Sequence, residues 1–500
     1  MKIEPDYPVF SRIHDEGRGQ AVFARRIADL ETPVSAYMKL AGLRDNAFLL
    51  ESVHGGESRG RYSIIGVEPD VIWQCRNGRA GIVRTGAGYG GTSGRPTDTP
   101  FQSLRMLLDE MRMELPDVLP PMCVGLFGYL GYDMVREIER LGPARADPLD
   151  LPDAILFRPT ITAIFDNLRG EIILVTPAWP AAGTDAGTSY SQASQRLSRA
   201  AALLDAPLAL AAAPVDANPQ PIQSNMSRAE YLAIVERAKA YIRAGDIFQV
   251  VPSQRFRRPF ALQPFSLYRS LRRLNPSPFL YHLAFPGFAI VGSSPEILVR
   301  LRDGIVTVRP IAGTRRRGAN AEEDTRLGEE LVADPKERAE HLMLLDLGRN
   351  DVGRVAETGS VQVTGSFFIE RYSHVMHLVS NVEGRIRDGL DAVDALAAGL
   401  PAGTLTGAPK IRAMEIIDEF EQVKRGAAYA GAVGYIAANG SMDTCIVLRT
   451  AVVKDGVMYV QAGGGVVADS VPEAEFEESV NKARALFSAA DEAHLFVSSE

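Results

Sequence analysis

Three apolar runs near the C-terminus, residues 429–437, 444–453 and 458–462, are separated by Asn439-Gly440 and Asp455-Gly456. Such dipeptides supply the positive φ angles of tight hairpin turns, so the runs must pair antiparallel. The same pattern appears earlier in residues 279–285, 288–292, 297–301 and 305–309, the last two joined by Asp303-Gly304. Helical stretches stand between these groups of strands. The order predicts an α+β fold, large and mostly antiparallel sheets faced by helices, rather than a doubly wound one.

Residues 1–178 read as a mixed α/β unit. Strands are expected at 47–53 and 60–66, around the His54-Gly55-Gly56 turn, and at 71–75 and 161–165, with a helix at 101–113. The glycine-rich run 85–100 lacks the GK[ST] ending of a phosphate loop. Residues 179–226 shift to Ala, Pro, Ser and Gly and hold one helix, 191–204; they read as a linker. A second unit, 227–500, opens with a Ser227/Glu230 capping box on a helix that Gly245 stops.

With 500 residues, 46% of them hydrophobic, the chain can bury a large core. A net charge of -8 argues against a nucleic-acid partner, which needs a basic face. No stretch approaches the roughly 18 apolar residues of a membrane span. Cys75, Cys123 and Cys445 lie far apart and read as core residues of a reducing, cytoplasmic protein.

Residues 334–354 begin with Asp334 as N-cap and Pro335 at the first helical position, and Leu342, Leu345 and Leu347 give the run an apolar side. Glu337 and Glu340, three apart, stack on one face, where like charges repel by about 0.2–0.5 kcal/mol. Residues 470–487 repeat the device with Glu475 and Glu478. If the pairs face each other, they form a hard, all-oxygen ligand set suited to Mg²⁺. A reading without metal stands beside it: Asp334 and Glu337 form a capping box, and Glu478 pairs with Lys482 one turn on.

Gly463-Gly464-Gly465 is either a tight strand-to-helix turn or a backbone cradle for an anion. Arg449, closing an apolar run, is an edge residue or a bidentate carboxylate clamp, and Tyr429 on the neighbouring strand is its helper or a core tyrosine. His377 suits proton transfer near neutral pH, and His374 is chemically equivalent. No nucleophile elbow of the GxSxG kind is present.

Taken together, PIAGTRRRG (310–318), EHLMLLDLGRND (340–351), VMHLVS (375–380), GTLTGAPK (403–410), GAVGYI (431–436), AGGGVVADS (462–470) and EESVNKARAL (477–486) closely resemble the chorismate-utilising enzymes. Within these the chain is most similar to the large subunits of anthranilate synthase, and LLES (49–52) and GRYS (60–63) extend the likeness.

The resemblance implies a Mg²⁺ site with Glu340 and Glu478 as direct ligands and Glu337 and Glu475 supporting them. Mg²⁺ would grip the ring carboxylate of chorismate, while Tyr429, Arg449 and the backbone of Gly463, Gly464 and Gly465 hold the enolpyruvyl carboxylate. Gly313 and Thr314 match substrate contacts, and His377 and Thr404 match active-site residues. The implied reaction adds ammonia at ring carbon 2 as the 4-hydroxyl leaves, then eliminates pyruvate; His377 is assigned to the second step. Aminodeoxychorismate synthases carry a nucleophilic lysine where this chain has Ala312, and isochorismate and salicylate synthases carry a water-activating lysine where it has Gln249, an amide that is no base. Both relatives are therefore disfavoured. A tryptophan sensor without chemistry is disfavoured by the intact Glu340, Glu478, Arg449 and His377.

Glu51 and Ser52, with Pro278, Phe279 and Leu280, match the segments that bind tryptophan as feedback inhibitor, although the family often has Tyr-Met in place of Phe279-Leu280. By this likeness 1–178 is the tryptophan-binding part and 227–500 the chorismate-binding catalytic domain. No glutaminase motif is present, so the implied partner is a glutamine amidotransferase subunit that delivers ammonia, in a heterotetramer.

Overall fold

The computed structural model describes residues 1–52, 60–85, 92–93, 99–181, 183–208, 220–372, 375–426 and 428–497. Val53, the expected His54-Gly55-Gly56 turn, most of the glycine-rich run and His374 lie outside them.

Two of the three tight-turn signals fold as their residues dictate. Asp303-Gly304 and Asp455-Gly456 take φ of 52° and 74°, and of 50° and 72°, the doubly left-handed form whose twist matches paired strands. At Asn439-Gly440 only the glycine is left-handed, at 86°, in a longer loop closed by the Ala437 N–H on the Ser441 carbonyl at 2.7 Å.

Two long strands, Tyr62–Arg76 and Ala154–Asp166, organise the sheets. They pair antiparallel from Tyr62↔Asp166 to Cys75↔Ala154, with an irregularity at Pro69/Val71 where the ribbon bends. Before the bend they adjoin Ala47–Glu51 and Glu171–Ala178; beyond it they adjoin Arg79–Arg84 and Gly125–Leu130. Both layers continue into the C-terminal half, since Ala47–Glu51 pairs with Phe279–Phe285 and Gly125–Leu130 with Ala432–Ala437. The ladder is almost wholly antiparallel. An aromatic core closes the space between the layers: Phe48 stacks on Phe127 with centroids 4.5 Å apart, and Phe157 meets Phe285 edge-on at 6.1 Å.

The region read as a linker is more than a tether. Its helix, Ala186–Asp205, buries Ala186, Ala193, Leu197, Ala200 and Leu204 in the same core as strands of both halves. Small residues at helical spacing made it look weakly structured, but they let the helix lie close to the sheet.

The expected strand 444–453 is two strands, Met442–Ile446 and Thr450–Lys454, broken at Arg449 with φ of 48°. The first pairs with Ile297–Arg302, the second with Phe288–Ser294, so the break is where the chain passes from one layer to the other. Arg449 is thus not in a strand. Tyr429 likewise precedes its strand, in a turn before Ala432–Ala437.

Helix Pro335–Gly353 packs on strands Ile311–Arg316 and Val375–Arg385 through His341, Leu344, Leu345, Gly348 and Val352. The expected apolar side was misplaced by part of a turn: Leu342 is 57% exposed. Helix Pro472–Glu492 buries Ser479, Ala483, Leu486 and Phe487 against strand Val457–Gly463 and helix Arg228–Ala244. That last helix has the expected capping box at Ser227/Glu230 and a left-handed Gly245 at φ 85°. Among the described residues no helix is long and apolar enough to cross a membrane.

Candidate active site

The two carboxylate-bearing helices flank the turn that follows strand Val457–Gly463. A Cβ added to Gly464 would lie 2.7 Å from Glu475 Oε2 and 3.6 Å from Glu478 Oε1, so bare backbone is what lets these carboxylates in. Gln249 donates from Nε2 to Glu340 Oε1 at 3.4 Å, and that same amide sits where a side chain at Gly465 would go. Gly463 is needed for a different reason: a Cβ there would strike the Pro252 carbonyl on the paired strand.

Burial raises the Glu340 carboxyl above the ordinary range, and the charges of Glu337 and Glu478 raise it further, against the pull of Lys336. Glu475 is raised by burial and by Glu478, against a Ser470 hydrogen bond, Lys482 and Lys336. Carboxylates of both helices therefore feel one another and share Lys336. The bland alternatives are only half right. Glu478 does pair with Lys482, at 2.7 Å, while remaining exposed. Glu337 makes no capping box: Asp334 accepts the N–H groups of Lys336 and Glu337, and Glu337 turns to Arg315 at 3.0 Å.

Among the described residues no three His, Cys, Asp or Glu converge to cage a metal. An open set of one or two carboxylates from facing helices suits Mg²⁺, which keeps waters and takes substrate oxygens, better than a soft metal. Glu340 and Glu478 are the carboxylates that could hold such an ion, with Glu337 and Glu475 the nearest acids on the same two helices.

Gly313 joins this group to a second one. It bulges between strands Ile311–Arg316 and Val375–Arg385 with φ of 61°, and a Cβ would meet Glu337 Oε2 at 2.9 Å. Its carbonyl accepts from His377 Nδ1 at 3.1 Å, and Thr314 Oγ1 lies 3.1 Å from the same nitrogen. Only a protonated Nδ1 can serve a carbonyl, so Nε2 carries the lone pair; it is buried with no partner. Burial lowers the His377 pKa to about 4, opposed by the Gly313 bond and assisted by the Arg449 charge, which makes the ring neutral at physiological pH.

Sequence reasoning missed Glu296. It lies between strands Phe288–Ser294 and Ile297–Arg302, is 7% exposed, and accepts from Thr404 Oγ1 at 3.2 Å. Burial pushes its pKa up to about 8, opposed by the Thr404 and Ile311 hydrogen bonds and by Arg449. The available signal was an acid standing between two apolar strands.

Arg449 faces Glu296, His377 and Tyr372 electrostatically, and burial lowers its pKa. Among the described residues its guanidinium has no ion pair or hydrogen bond. No hydrogen bond joins the Tyr429 and Arg449 side chains. Tyr429 lies under the Arg425 guanidinium, 5.5 Å from the ring centroid, and burial pushes its hydroxyl to about 12. Through Tyr231 it neighbours Glu475 and Gly464.

Glu51, Ser52, Pro278, Phe279 and Leu280 line one cavity of about 600 Å³. The register Glu51↔Leu280 brings the two segments together. The Glu51 carboxylate is committed elsewhere, to Arg272 at 2.7 Å and to the Tyr268 hydroxyl. Asp443, also in the wall, is half-buried, keeps a buried Oδ1 without a partner among the described residues, and is raised to about 6 by desolvation against Arg302 and Arg300. Pro295, Ile297 and Tyr372 line the same cavity, one residue from Glu296 and edge-on to His377 respectively.

Four carboxylates gathered on two helices, with a buried guanidinium that has no counter-anion among the described residues and an acid that keeps its proton, equip an enzyme whose substrate is itself a small carboxylate. A family model described as chorismate binding enzyme matches residues 47–488. Anthranilate synthase component 1 of Cereibacter sphaeroides is 58% identical, over 97% of both chains, and that of Pseudomonas aeruginosa 49% identical, over 93% of this chain and 94% of its own. The crystal structure of anthranilate synthase component I from Streptococcus pneumoniae superposes with a TM-score of 0.76 at 37% identity, covering 93% of this chain and 99% of the other. The menaquinone-specific isochorismate synthase of Escherichia coli, 19% identical with a TM-score of 0.70, shares the fold. The chain belongs to the chorismate-binding enzyme family, in the branch of anthranilate synthase component 1.

Proposed function

We propose that the chain converts chorismate and ammonia to anthranilate and pyruvate, the first step towards tryptophan, with ammonia delivered by a glutamine amidotransferase subunit in a heterotetramer in the cytoplasm. The observation that carries this reading is the grouping of Glu296, Arg449 and His377 in one cleft that holds no lysine at Ala312 or Gln249. Without those lysines the cleft lacks both the covalent nucleophile and the water-activating lysine of the related synthases, and ammonia is left to attack the ring.

Arg449 binds a substrate carboxylate through its fork, and the N–H groups of the Gly463–Gly465 turn support it. Glu296, protonated below about 8, gives its proton to the 4-hydroxyl as ammonia bonds to ring carbon 2, so that water leaves. The Thr404 hydroxyl orients that carboxyl. Neutral His377, its Nε2 lone pair free, takes the ring carbon 2 proton as the enolpyruvyl C–O bond breaks and pyruvate departs. Mg²⁺ held by Glu340 and Glu478, with Glu337 and Glu475 supporting, supplies positive charge at the ring carboxylate when bound.

Tryptophan, as feedback inhibitor, takes the cavity of Ser52, Pro278, Phe279 and Leu280. Asp443 supplies the charge partner for its ammonium group, a role the Glu51 carboxylate, bound to Arg272, does not have.

The test is to incubate the purified chain with chorismate, Mg²⁺ and ammonium, with and without tryptophan, and identify the products by mass and fluorescence. Anthranilate with pyruvate, suppressed by tryptophan, supports the reading. Isochorismate, salicylate or aminodeoxychorismate would overturn it, and would show that Ala312 and Gln249 do not select ammonia.

A further inference from the structure

Away from the cleft, a cavity of about 300 Å³ is lined by Arg255, Arg257, Tyr459, Asn225 and Leu149, among others. Strand Ser253–Pro259 pairs with Val457–Gly463 in the register Arg255↔Gln461 and Arg257↔Tyr459, so both arginines and Tyr459 share one face. Arg255 is 8% exposed, and its Nη1 is buried with no hydrogen-bond partner among the described residues. A buried guanidinium without a counter-charge is costly, and proteins keep one where an anion completes it.

The surrounding groups are mainly donors. Arg257 uses Nε for Gln223, at 3.2 Å, and has no ion pair among the described residues. Asn225 Oδ1 accepts the Arg255 backbone N–H at 2.7 Å, which leaves its amide NH₂ as a donor. Two carboxylates lie within electrostatic reach of Arg255, and both are engaged: Asp147 caps the N–H groups of Leu149 and Leu151 at 3.0 and 3.2 Å, and Glu421 pairs with Arg425 at 2.8 Å. Lys454 donates to the Leu149 carbonyl at 2.6 Å. With both carboxylates committed to other groups, two guanidiniums and an amide leave room for a single negative charge.

We propose that this cavity is a binding site for a small monocarboxylate, held bidentately by Arg255 and closed by Arg257 and the Asn225 amide. The inference stands apart from the catalytic reading, since none of these residues belongs to the cleft.

Saturation-transfer NMR on the methyl protons of acetate and pyruvate, with the full chain and ionic strength fixed by chloride, tests it. Because Arg449 also attracts carboxylates, Arg449→Gln is the control. Signal is expected in the parent chain and in Arg449→Gln, and is expected to fall at least about fivefold when Arg255→Gln is added to Arg449→Gln, as a lost charge-assisted fork requires. Should Arg255→Gln fail to fold, Asn225→Asp carries the test: it keeps the oxygen that accepts the Arg255 N–H and adds a competing charge, so signal should again be lost. No signal in the parent chain, a signal that vanishes in Arg449→Gln, or one that survives Arg255→Gln or Asn225→Asp in the Arg449→Gln background would overturn the proposal.

Discussion

Thr404 donates its hydroxyl proton to Oε1 of Glu296 across 3.2 Å, in a place where burial has raised that carboxyl to about 8. The other oxygen is left to carry the acid proton. Glu296→Gln keeps the shape and removes the proton, and should lower kcat by about 10²–10⁴-fold, the usual contribution of a positioned acid. The parent rate should decline as pH rises through about 8; a flat profile to pH 10 would remove Glu296 as the acid. Stability follows with a fixed sign. The folded chain holds this proton up to about 8 and the unfolded chain releases it near 4.5, so stability falls as pH rises between those values.

His377 is the opposite case. With Nδ1–H on the Gly313 carbonyl and a pKa lowered to about 4, it is neutral above that pH, and the ring has no titration near the ordinary 6.5. The acid limb of the rate should therefore show no inflection near 6.5 from this residue. The folded ring binds fewer protons than the unfolded one between about 4 and 6.5, so its contribution to stability grows as pH rises across that window. His377→Ala should cost about 10²–10⁴-fold in kcat with little change in KM for chorismate; a loss confined to KM would make it a binding residue.

The architecture was legible because hairpin dipeptides and alternating strands are local signals: Asp303-Gly304 and Asp455-Gly456 formed the turns their residues encode. The glutamate pairs were legible as an anomaly of spacing. What stayed hidden depends on contacts distant in sequence. Nothing around Ser294-Pro295-Glu296 shows that Thr404, over a hundred residues on, will lie against it, or that burial will protonate it. Arg449 looked like a strand residue because its neighbours are β-formers, while its left-handed φ follows from the passage between layers. The helix expected at 191–204 was legible, but not its place in the core, because the Ala, Pro, Ser and Gly around it read as a linker.

Glu337 sits beside Gly313 and is tied to Arg315, whereas Glu340 faces Gln249 and Glu478. The two should separate in a Mg²⁺ titration. Glu340→Gln should abolish calorimetric Mg²⁺ binding in the presence of chorismate, while Glu337→Gln should weaken it by about 10–100-fold, as a supporting contact does. Equal effects would mean that no distinction between ligand and support exists here.

Asp443 presents an unpartnered Oδ1 to the cavity of Phe279 and Leu280. Asp443→Asn keeps the volume and loses the charge, so the tryptophan concentration for half inhibition should rise by about tenfold or more, as for a lost charge-assisted hydrogen bond of roughly 1.5–3 kcal/mol. An unchanged value would exclude Asp443 as the ammonium partner and return attention to backbone carbonyls near Ser52 and Pro278.

Lys410 reaches Asp351 at 2.7 Å with side chains only 10% and 7% exposed, and so ties the segment after Thr404 to the helix that carries Glu337 and Glu340. Burial raises the Asp351 carboxyl and the Lys410 charge opposes that rise, so neither partner tolerates being left alone. Lys410→Met should destabilise the fold by about 3–5 kcal/mol, since it strands a buried carboxyl, while Lys410→Met with Asp351→Leu should recover most of that loss. Urea unfolding of the two single variants and the double variant measures the coupling. If the pair only stabilises, the double variant should regain the parent kcat as well. If it positions Thr404 over Glu296, the double variant should be stable yet slow, because apolar packing restores stability without fixing the loop relative to the helix.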